Sequence, residues 1–120
     1  MLVVDDCDDT RELYQVLLVD AGFAVDSAAD GLAAISCVER DAPSVIVTDL
    51  GLPDGGGLAL CRELRSRPAS VSIPIVVVTG HAGAKEKALL AGASHFLAKP
   101  VDPDLLLAVV REAATSGPPH

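Results

Sequence analysis

Short apolar runs alternate with longer stretches of mixed polarity along the whole chain. Runs of a few apolar residues, without alternation of polar and apolar positions, are typical of strands buried on both faces. The longer stretches repeat apolar residues at helical spacing. The pattern therefore predicts five strands, at residues 2–4, 23–28, 45–48, 73–78 and 95–98.

Five helices are predicted to follow these strands in turn. The first begins at Asp8 or Asp9, with Glu12 completing a capping box if Asp9 is the cap, and ends near Asp20 before Gly22. The others extend over about 31–41, 58–66, 82–91 and 102–114. Helical spacing predicts buried faces formed by Leu13, Val16, Leu17 and Ala21 in the first helix, Ala34, Cys37 and Val38 in the second, Leu60, Cys61 and Leu64 in the third, and Leu105, Ala108 and Val109 in the last.

The alternation of strands and helices predicts an α/β fold. Strands that are apolar throughout need cover on both faces, which favours a parallel sheet. With right-handed crossovers this gives a doubly wound, flavodoxin-like sheet of five strands, for which we expect the order 2-1-3-4-5. One domain is expected over residues 1–114, with a linker-like, disordered tail at 115–120.

Composition narrows the range of functions. Nine basic and seventeen acidic residues give a net charge of −8, which disfavours nucleic-acid binding. No apolar run approaches the roughly 18 residues of a membrane span. Three cysteines without C-x-x-C spacing indicate a reduced, cytoplasmic protein, and Cys7 is expected to be a small buried thiol.

Polar residues follow four of the predicted strands. Asp5 and Asp6 follow the first, Asp49 the third, Thr79 the fourth and Lys99 the fifth. A parallel sheet brings all of these positions to one edge, and the first and third strands are neighbours at the switch point of the expected order. Three carboxylates in one crevice repel one another unless a cation such as Mg²⁺ binds between them. After Asp49, Pro53 and the Gly55–Gly57 triplet predict a mobile loop.

With these motifs the chain resembles the receiver domain of bacterial two-component response regulators. The resemblance covers almost the whole chain, through L-V-V-D-D, V-T-D-L-G-L-P-D-G-G-G, I-V-V-V-T-G and F-L-A-K-P-V-D. It implies that Asp49 accepts a phosphoryl group from a sensor histidine kinase or phosphotransfer protein in a phosphorelay, becoming an aspartyl phosphate. It also implies that Mg²⁺ or Mn²⁺ is bound by Asp5, Asp6, Asp49 and the backbone carbonyl of Gly51, with Asp6 and Asp49 as direct ligands.

The resemblance assigns further roles. Thr79 would hydrogen-bond one phosphoryl oxygen, Lys99 would neutralise another, and the Lys99–Pro100 bond would be cis. Phe96 would swing into the space behind Thr79, a switch by packing alone because it lacks the hydroxyl of the more usual tyrosine. The readout would be the face formed by the fourth helix, fifth strand and fifth helix.

The resemblance also sets expectations for activity and partners. The domain would catalyse only its own phosphorylation and dephosphorylation, and would act on an output domain or downstream protein that the sequence does not identify. A phosphorylation-dependent homodimer is a further expectation, and direct binding to nucleic acid or membrane is not expected.

Gly51 and His81 lie two residues beyond Asp49 and Thr79, where side chains border the expected phosphoryl site. One hypothesis is that this pair tunes the dephosphorylation of Asp49. The alternative is that His81 is an exposed polar residue without such a role.

Two other functions are compatible with parts of the sequence. Residues 6–10, D-C-D-D-T, fit the D-x-D-x-T pattern of haloacid-dehalogenase-type phosphatases, in which Asp6 would be the nucleophile. The chain is short for that fold, however, and lacks its later acidic pair. A degenerate receiver that acts only as a docking module is the second alternative, and the presence of every polar site residue disfavours it.

Overall fold

Five strands and five helices alternate along the part of the chain that the structure describes. The structure is a computed structural model and describes residues 1–52 and 56–115. The strands are β1 (Leu2–Val4), β2 (Asp26–Ala28), β3 (Ile46–Thr48), β4 (Ile75–Thr79) and β5 (His95–Ala98). The helices are α1 (Asp8–Asp20), α2 (Gly31–Arg40), α3 (Gly56–Ser66), α4 (Lys85–Leu90) and α5 (Pro103–Thr115), with a 3-10 turn at Ala82–Ala84 before α4.

All neighbouring strands are parallel, and their order across the sheet is β2-β1-β3-β4-β5. The predicted fold class and strand order are confirmed. Because β1 and β3 are neighbours while their crossover helices leave in opposite directions, the crevice beyond their carboxyl ends lies at the switch point of the sheet.

Two apolar layers cover the sheet, one on each face. Successive strand residues point to opposite sides, so Leu2 and Val4 join one layer while Val3 joins the other. The first layer is completed by buried residues of α2, α3 and α4, and the second by those of α1 and α5. The buried, uniformly apolar centre of the sheet explains why the strand pattern could be read from the sequence.

The buried faces predicted for α1 and α5 are wrong. In α1 the buried residues are Tyr14 and Leu18, with Leu17 partly buried, whereas Leu13 and Val16 are exposed. In α5 the residues predicted to be buried were Leu105, Ala108 and Val109. Only Val109 packs partly against the core, and the buried residues are instead Leu106, Val110 and Ala113. Both helices carry more apolar residues than one face can bury, so spacing alone left their rotation about the helix axis undetermined.

Several element boundaries also differ from the prediction. The strand predicted over 23–28 is reduced to β2, an edge strand of sequence D-S-A, although Phe23 and Val25 still pack against the core. The strand predicted over 73–78 instead spans β4, which includes Thr79. The fourth helix is a 3-10 turn followed by the six residues of α4, consistent with the low helix propensity of Gly83.

Two helix starts differ in how they are capped. Asp30 caps α2, since its side chain accepts the Ala33 N–H at 2.8 Å. The N-cap of α1 is Cys7, without a side-chain cap, so the predicted cap at Asp8 or Asp9 is wrong. Gly22 ends α1 as predicted, with a positive φ of 99°.

The predicted loop and tail lie partly outside the described residues. Pro53 and Gly55 are not described, and Gly56 and Gly57 begin α3 rather than continue a loop. Thr115 is the last residue of α5 and not the first of a tail. The linker-like character of the remainder, at 116–120, lies outside the described residues and stays a prediction, as does the domain boundary. No described helix combines the length and apolar composition needed to cross a bilayer.

The burial of α5 can be tested with two neighbouring leucines. Leu106→Ala should lower the free energy of unfolding by about 2–5 kcal/mol, because Leu106 is fully buried and its removal leaves a cavity. Leu105→Ala should change it by less than about 1 kcal/mol, because Leu105 is 49% exposed. Urea denaturation of both variants measures the difference, and equal losses would contradict the burial of Leu106 and the exposure of Leu105 on α5.

Candidate functional site

The carboxyl ends of β1, β3 and β5 bring two aspartates and a lysine together. Asp5 follows β1 and Asp49 follows β3, and the Asp49 N–H donates to the Val4 carbonyl at 3.1 Å. Lys99 follows β5, and its Nζ lies 3.4 Å from Oδ2 of Asp5 and 3.4 Å from Oδ2 of Asp49. The sequence-predicted convergence of Asp5, Asp49 and Lys99 is therefore present in the structure.

Asp6 completes a cluster of three carboxylates. One oxygen from each of Asp5, Asp6 and Asp49 lies within 4.8 Å of the others. Asp5 is buried, Asp49 is partly buried and Asp6 is exposed, so the cluster opens to solvent on one side. A set of carboxylate oxygens open to water is the donor chemistry that suits Mg²⁺, which keeps several waters when bound. The residues present thus fit a hard divalent cation.

Lys99 partly compensates this negative charge. Burial lowers the pKa of Lys99, but the carboxylates of Asp5 and Asp49 outweigh that effect and raise the pKa above its ordinary value. The ammonium group therefore stays protonated at neutral pH and pairs with Asp5 and Asp49.

Asp5 is held at every polar group that it offers. Its N–H donates to the Ala28 carbonyl, its Oδ1 accepts the Cys7 N–H at 2.9 Å, and its Oδ2 faces Lys99. Its carbonyl oxygen accepts a hydrogen bond from Nη1 of Arg11 at 2.8 Å. Arg11 was not predicted from the sequence; its position at the end of the first turn of α1, directly after a segment with four aspartates, was the available signal.

The segment after Asp49 is fixed by a close backbone approach. The Leu50 N–H donates to Asp49 Oδ1 at 2.7 Å, and the Gly57 N–H donates to the Leu50 carbonyl at 2.9 Å. A Cβ atom at Gly57 would lie 2.2 Å from the Asp49 carbonyl oxygen, so only glycine fits there. Gly57 was interpreted from the sequence as part of a loop, whereas it lets the first turn of α3 pack directly against Asp49.

Thr79 and Phe96 lie on the strands beside this crevice. Thr79 is fully buried at the end of β4; its Oγ1 accepts the His81 N–H at 3.3 Å, and its carbonyl accepts the Lys99 N–H at 2.8 Å. Phe96 on β5 pairs with Val77, two residues before Thr79, and is partly buried against the same apolar layer. Period-2 alternation places Thr79 and Phe96 on one face of the sheet. The Lys99–Pro100 bond is cis, as the resemblance implied.

Gly51 lies beside Asp49, and His81 lies beside Thr79. Both are exposed, and a Cβ atom at Gly51 would lie 3.8 Å from Asp49 Oδ2. His81 is connected to Thr79 only through its backbone N–H.

Cys7 is exposed, so the prediction of a buried thiol is wrong. It is the N-cap of α1, and hydrogen bonding to Thr10 lowers the pKa of its thiol. The expectation rested on the general preference of free cysteines for the protein interior. Cys7 is exposed instead because it lies in the turn between β1 and α1.

The phosphatase alternative needs Asp8 beside Asp6 in the site. Asp8 instead lies in the first turn of α1, where its carboxylate pairs with Arg11 and its side chain is 84% exposed. This position disfavours a D-x-D nucleophile motif.

A family model described as the response regulator receiver domain matches residues 1–111. The chain belongs to the response regulator receiver domain family. The resemblance inferred from the motifs is thus confirmed, and neither the phosphatase nor the docking-module alternative is favoured. Receiver domains act in two-component signalling, are phosphorylated by histidine kinases and are generally not enzymes that turn over a separate substrate.

Relatives of this chain differ in how much of their own length matches it. An uncharacterized 14.6 kDa protein of Leptolyngbya boryana is 35% identical over 99% of this chain and 92% of its own length. Response regulator PleD of Caulobacter vibrioides is 36% identical over 92% of this chain, which spans only 25% of PleD. The receiver domain of sensor histidine kinase PA1611 from Pseudomonas aeruginosa, solved with magnesium in its active-site cleft, is 29% identical with a TM-score of 0.89, covering 96% of each chain.

The repulsion within the carboxylate cluster predicts a stability effect. Asp49→Asn should raise the free energy of unfolding of the metal-free protein by about 1 kcal/mol, because it removes one of three clustered negative charges while Lys99 keeps Asp5 as a partner. Denaturation in the presence of a chelator measures this effect. Glu12→Gln removes the same charge from an exposed position on α1 and should have a smaller effect; a destabilised Asp49→Asn protein would contradict the prediction.

Proposed function

We propose that this receiver domain accepts a phosphoryl group on Asp49 in a Mg²⁺-dependent reaction and thereby switches a signalling surface. The observation that carries the proposal is the convergence of Asp5, Asp6, Asp49 and Lys99 in one crevice at the switch point of the sheet. Mg²⁺ or Mn²⁺ would be held by the three aspartates together with the backbone carbonyl of Gly51.

The chemistry assigned to Asp49 follows from its surroundings. Oδ1 accepts the Leu50 N–H, and Oδ2 faces Lys99. In the reaction the P–N bond of a phosphohistidine breaks and a P–O bond to Asp49 forms; the imidazole leaves with the electron pair and takes a proton from solvent. Carboxylates are established nucleophiles for phosphoryl groups. A bound Mg²⁺ would supply charge neutralisation for the phosphoryl oxygens.

Lys99 and Thr79 would stabilise the transferred group. The protonated Lys99, already 3.4 Å from Asp49, would pair with one phosphoryl oxygen. Thr79 would turn its hydroxyl to another oxygen, at the expense of its bond to the His81 N–H. Hydrolysis by water would return Asp49 and release inorganic phosphate, so the domain acts on itself and not on a separate substrate.

The switch would be transmitted by packing. Movement of the Thr79 side chain would vacate space on the face of the sheet that it shares with Phe96, and the phenyl ring would fill that space. The populations of two arrangements of α4, β5 and α5 would then shift. This surface is where an output domain, a downstream protein or a second phosphorylated copy would bind.

The phosphoryl donor is proposed to be a sensor histidine kinase or a phosphotransfer protein. Three exposed apolar residues of α1, Leu13, Val16 and Val19, lie on a helix that starts at the site, and Leu13 lines an open crevice of about 420 Å³ with Lys99 and Pro100. Such a surface suits a protein donor that approaches the carboxyl edge of the sheet. A cytoplasmic location and the absence of direct nucleic-acid binding stay predictions.

Phosphorylation can be tested with acetyl phosphate as a small-molecule donor. In the presence of Mg²⁺ the protein should gain the mass of one phosphoryl group, Asp49→Ala should gain none, and chelation of the metal should prevent the gain in the wild type. Mass spectrometry of the intact protein gives the readout. A gain that persists in Asp49→Ala but is lost in Asp6→Ala would support the phosphatase-type nucleophile, and no gain with wild type would support a docking module.

The proposed tuning of dephosphorylation makes a separate prediction. If His81 orients water beside the phosphorylated Asp49, His81→Ala should slow decay of the aspartyl phosphate at least about threefold, since a positioned group is lost. Glu86→Gln, an exposed change on α4, serves as the control. Decay is followed by release of inorganic phosphate, and an unchanged rate in His81→Ala would leave His81 as an exposed polar residue.

A further inference from the structure

Asp6 differs from the other two carboxylates of the cluster in how it is held. Asp5 and Asp49 each accept a backbone N–H and face Lys99. Among the residues that the structure describes, Asp6 makes no hydrogen bond and no ion pair, and it is exposed. Its contribution to the cluster therefore depends on the direction in which the backbone presents it.

That direction is set by the peptide group that joins Asp5 to Asp6. A peptide group is planar, so fixing its carbonyl oxygen also fixes the N–H and the Cα of the following residue. The carbonyl oxygen of Asp5 belongs to this group, and Nη1 of Arg11 donates to it at 2.8 Å. Arg11 reaches back from α1 across the turn that carries both acids.

Arg11 is itself well fixed. Its side chain is only 19% exposed, and its second guanidinium nitrogen pairs with the carboxylate of Asp8 in the first turn of α1. The planar fork of an arginine can hold two acceptors at once in one orientation, which a lysine cannot do. The guanidinium therefore links the end of β1 to the start of α1 through two contacts.

We propose that Arg11 is a positioning residue for the metal site, which orients Asp6 as a ligand by holding the Asp5–Asp6 peptide group. Arg11 does not touch the carboxylate oxygens of the cluster; it acts through the backbone. The inference rests on the proposed Mg²⁺ site and extends it to a residue outside the acidic cluster.

An electrostatic role of Arg11 would have the opposite consequence. A positive charge near a cation site repels the cation, so removal of that charge alone would tighten Mg²⁺ binding. Loss of positioning weakens binding whether or not the charge remains. The sign of the change and its dependence on charge thus separate the two roles.

The experiment measures Mg²⁺ binding to the whole chain by calorimetry, for wild type, Arg11→Lys, Arg11→Met and Arg62→Met. Both Arg11 variants should raise the Kd for Mg²⁺ about tenfold or more, as found when partners that orient metal ligands are removed. Arg62→Met removes the same charge from the exposed face of α3 and should leave the Kd within about twofold.

A second readout separates positioning from a general loss of structure. At saturating Mg²⁺ the maximal rate of phosphorylation by acetyl phosphate should stay within about threefold of wild type, because Arg11 does not contact the reacting oxygens. Thermal unfolding in the presence of a chelator reports folding of each variant, and the milder Arg11→Lys carries the test if Arg11→Met is unfolded.

Three outcomes would overturn the inference. The first is that Arg11→Met binds Mg²⁺ more tightly than wild type. The second is that both Arg11 variants have a Kd for Mg²⁺ within about twofold of wild type, and the third is that the maximal rate of phosphorylation falls while this Kd is unchanged. Failure of the wild type to bind Mg²⁺ at all would instead remove the proposed metal site, and the inference with it, so the two failures are distinguishable.

Discussion

The ion pairs of Lys99 with Asp5 and Asp49 are the interaction on which the site depends. Two carboxylates at the ends of adjacent strands cannot be brought together without a compensating charge, and the third, from Asp6, adds to the repulsion. Lys99 comes from β5, two strands away from β3, and reaches them because the sheet is parallel and all its carboxyl ends share one edge. One lysine cannot neutralise three carboxylates, so an excess of negative charge remains at the site. A divalent cation, alone or together with a phosphoryl group, could be bound by that charge.

The rest of the fold holds these few atoms in place. The central strands β1 and β3 are buried on both faces, so the acids that follow them emerge from rigid elements at positions fixed by the strand register. The turns beyond the strands are then constrained individually: Gly57 allows α3 to pack against the backbone of Asp49, and Arg11 ties α1 to the carbonyl of Asp5. Rigid strands with individually anchored turns keep the acids close despite their repulsion, and exposure on one side leaves room for ligand exchange.

Sequence patterns predicted some features of this arrangement and could not predict others. The convergence of Asp5, Asp49 and Lys99 follows from local rules, namely apolar runs and the residues at their ends, and the strand order was expected from the doubly wound topology. The buried faces of α1 and α5 do not follow from such rules, because runs such as L-L-L-A-V-V fit several rotations and tertiary packing selects one. Gly57 and Arg11 were missed for a related reason: each acts on the backbone of a residue in another element or turn, and single-residue preferences do not report such contacts.

The three acids also differ in how many contacts hold them in place. This difference bears on which of them could move when Asp49 is phosphorylated. Asp5 is fixed by four polar contacts, Asp49 by its neighbour's N–H and Lys99, and Asp6 only by its backbone. When a phosphoryl group is present, Lys99 has a new oxygen to pair with, so the constraint on Asp49 would change while that on Asp5 would remain. A site in which one acid is fixed and the other two can adjust would accommodate both the free and the phosphorylated carboxylate of the proposed reaction without repacking of the sheet. Under the proposed switch, change would then be confined to the side of the crevice where Thr79 and Phe96 lie, on β4 and β5.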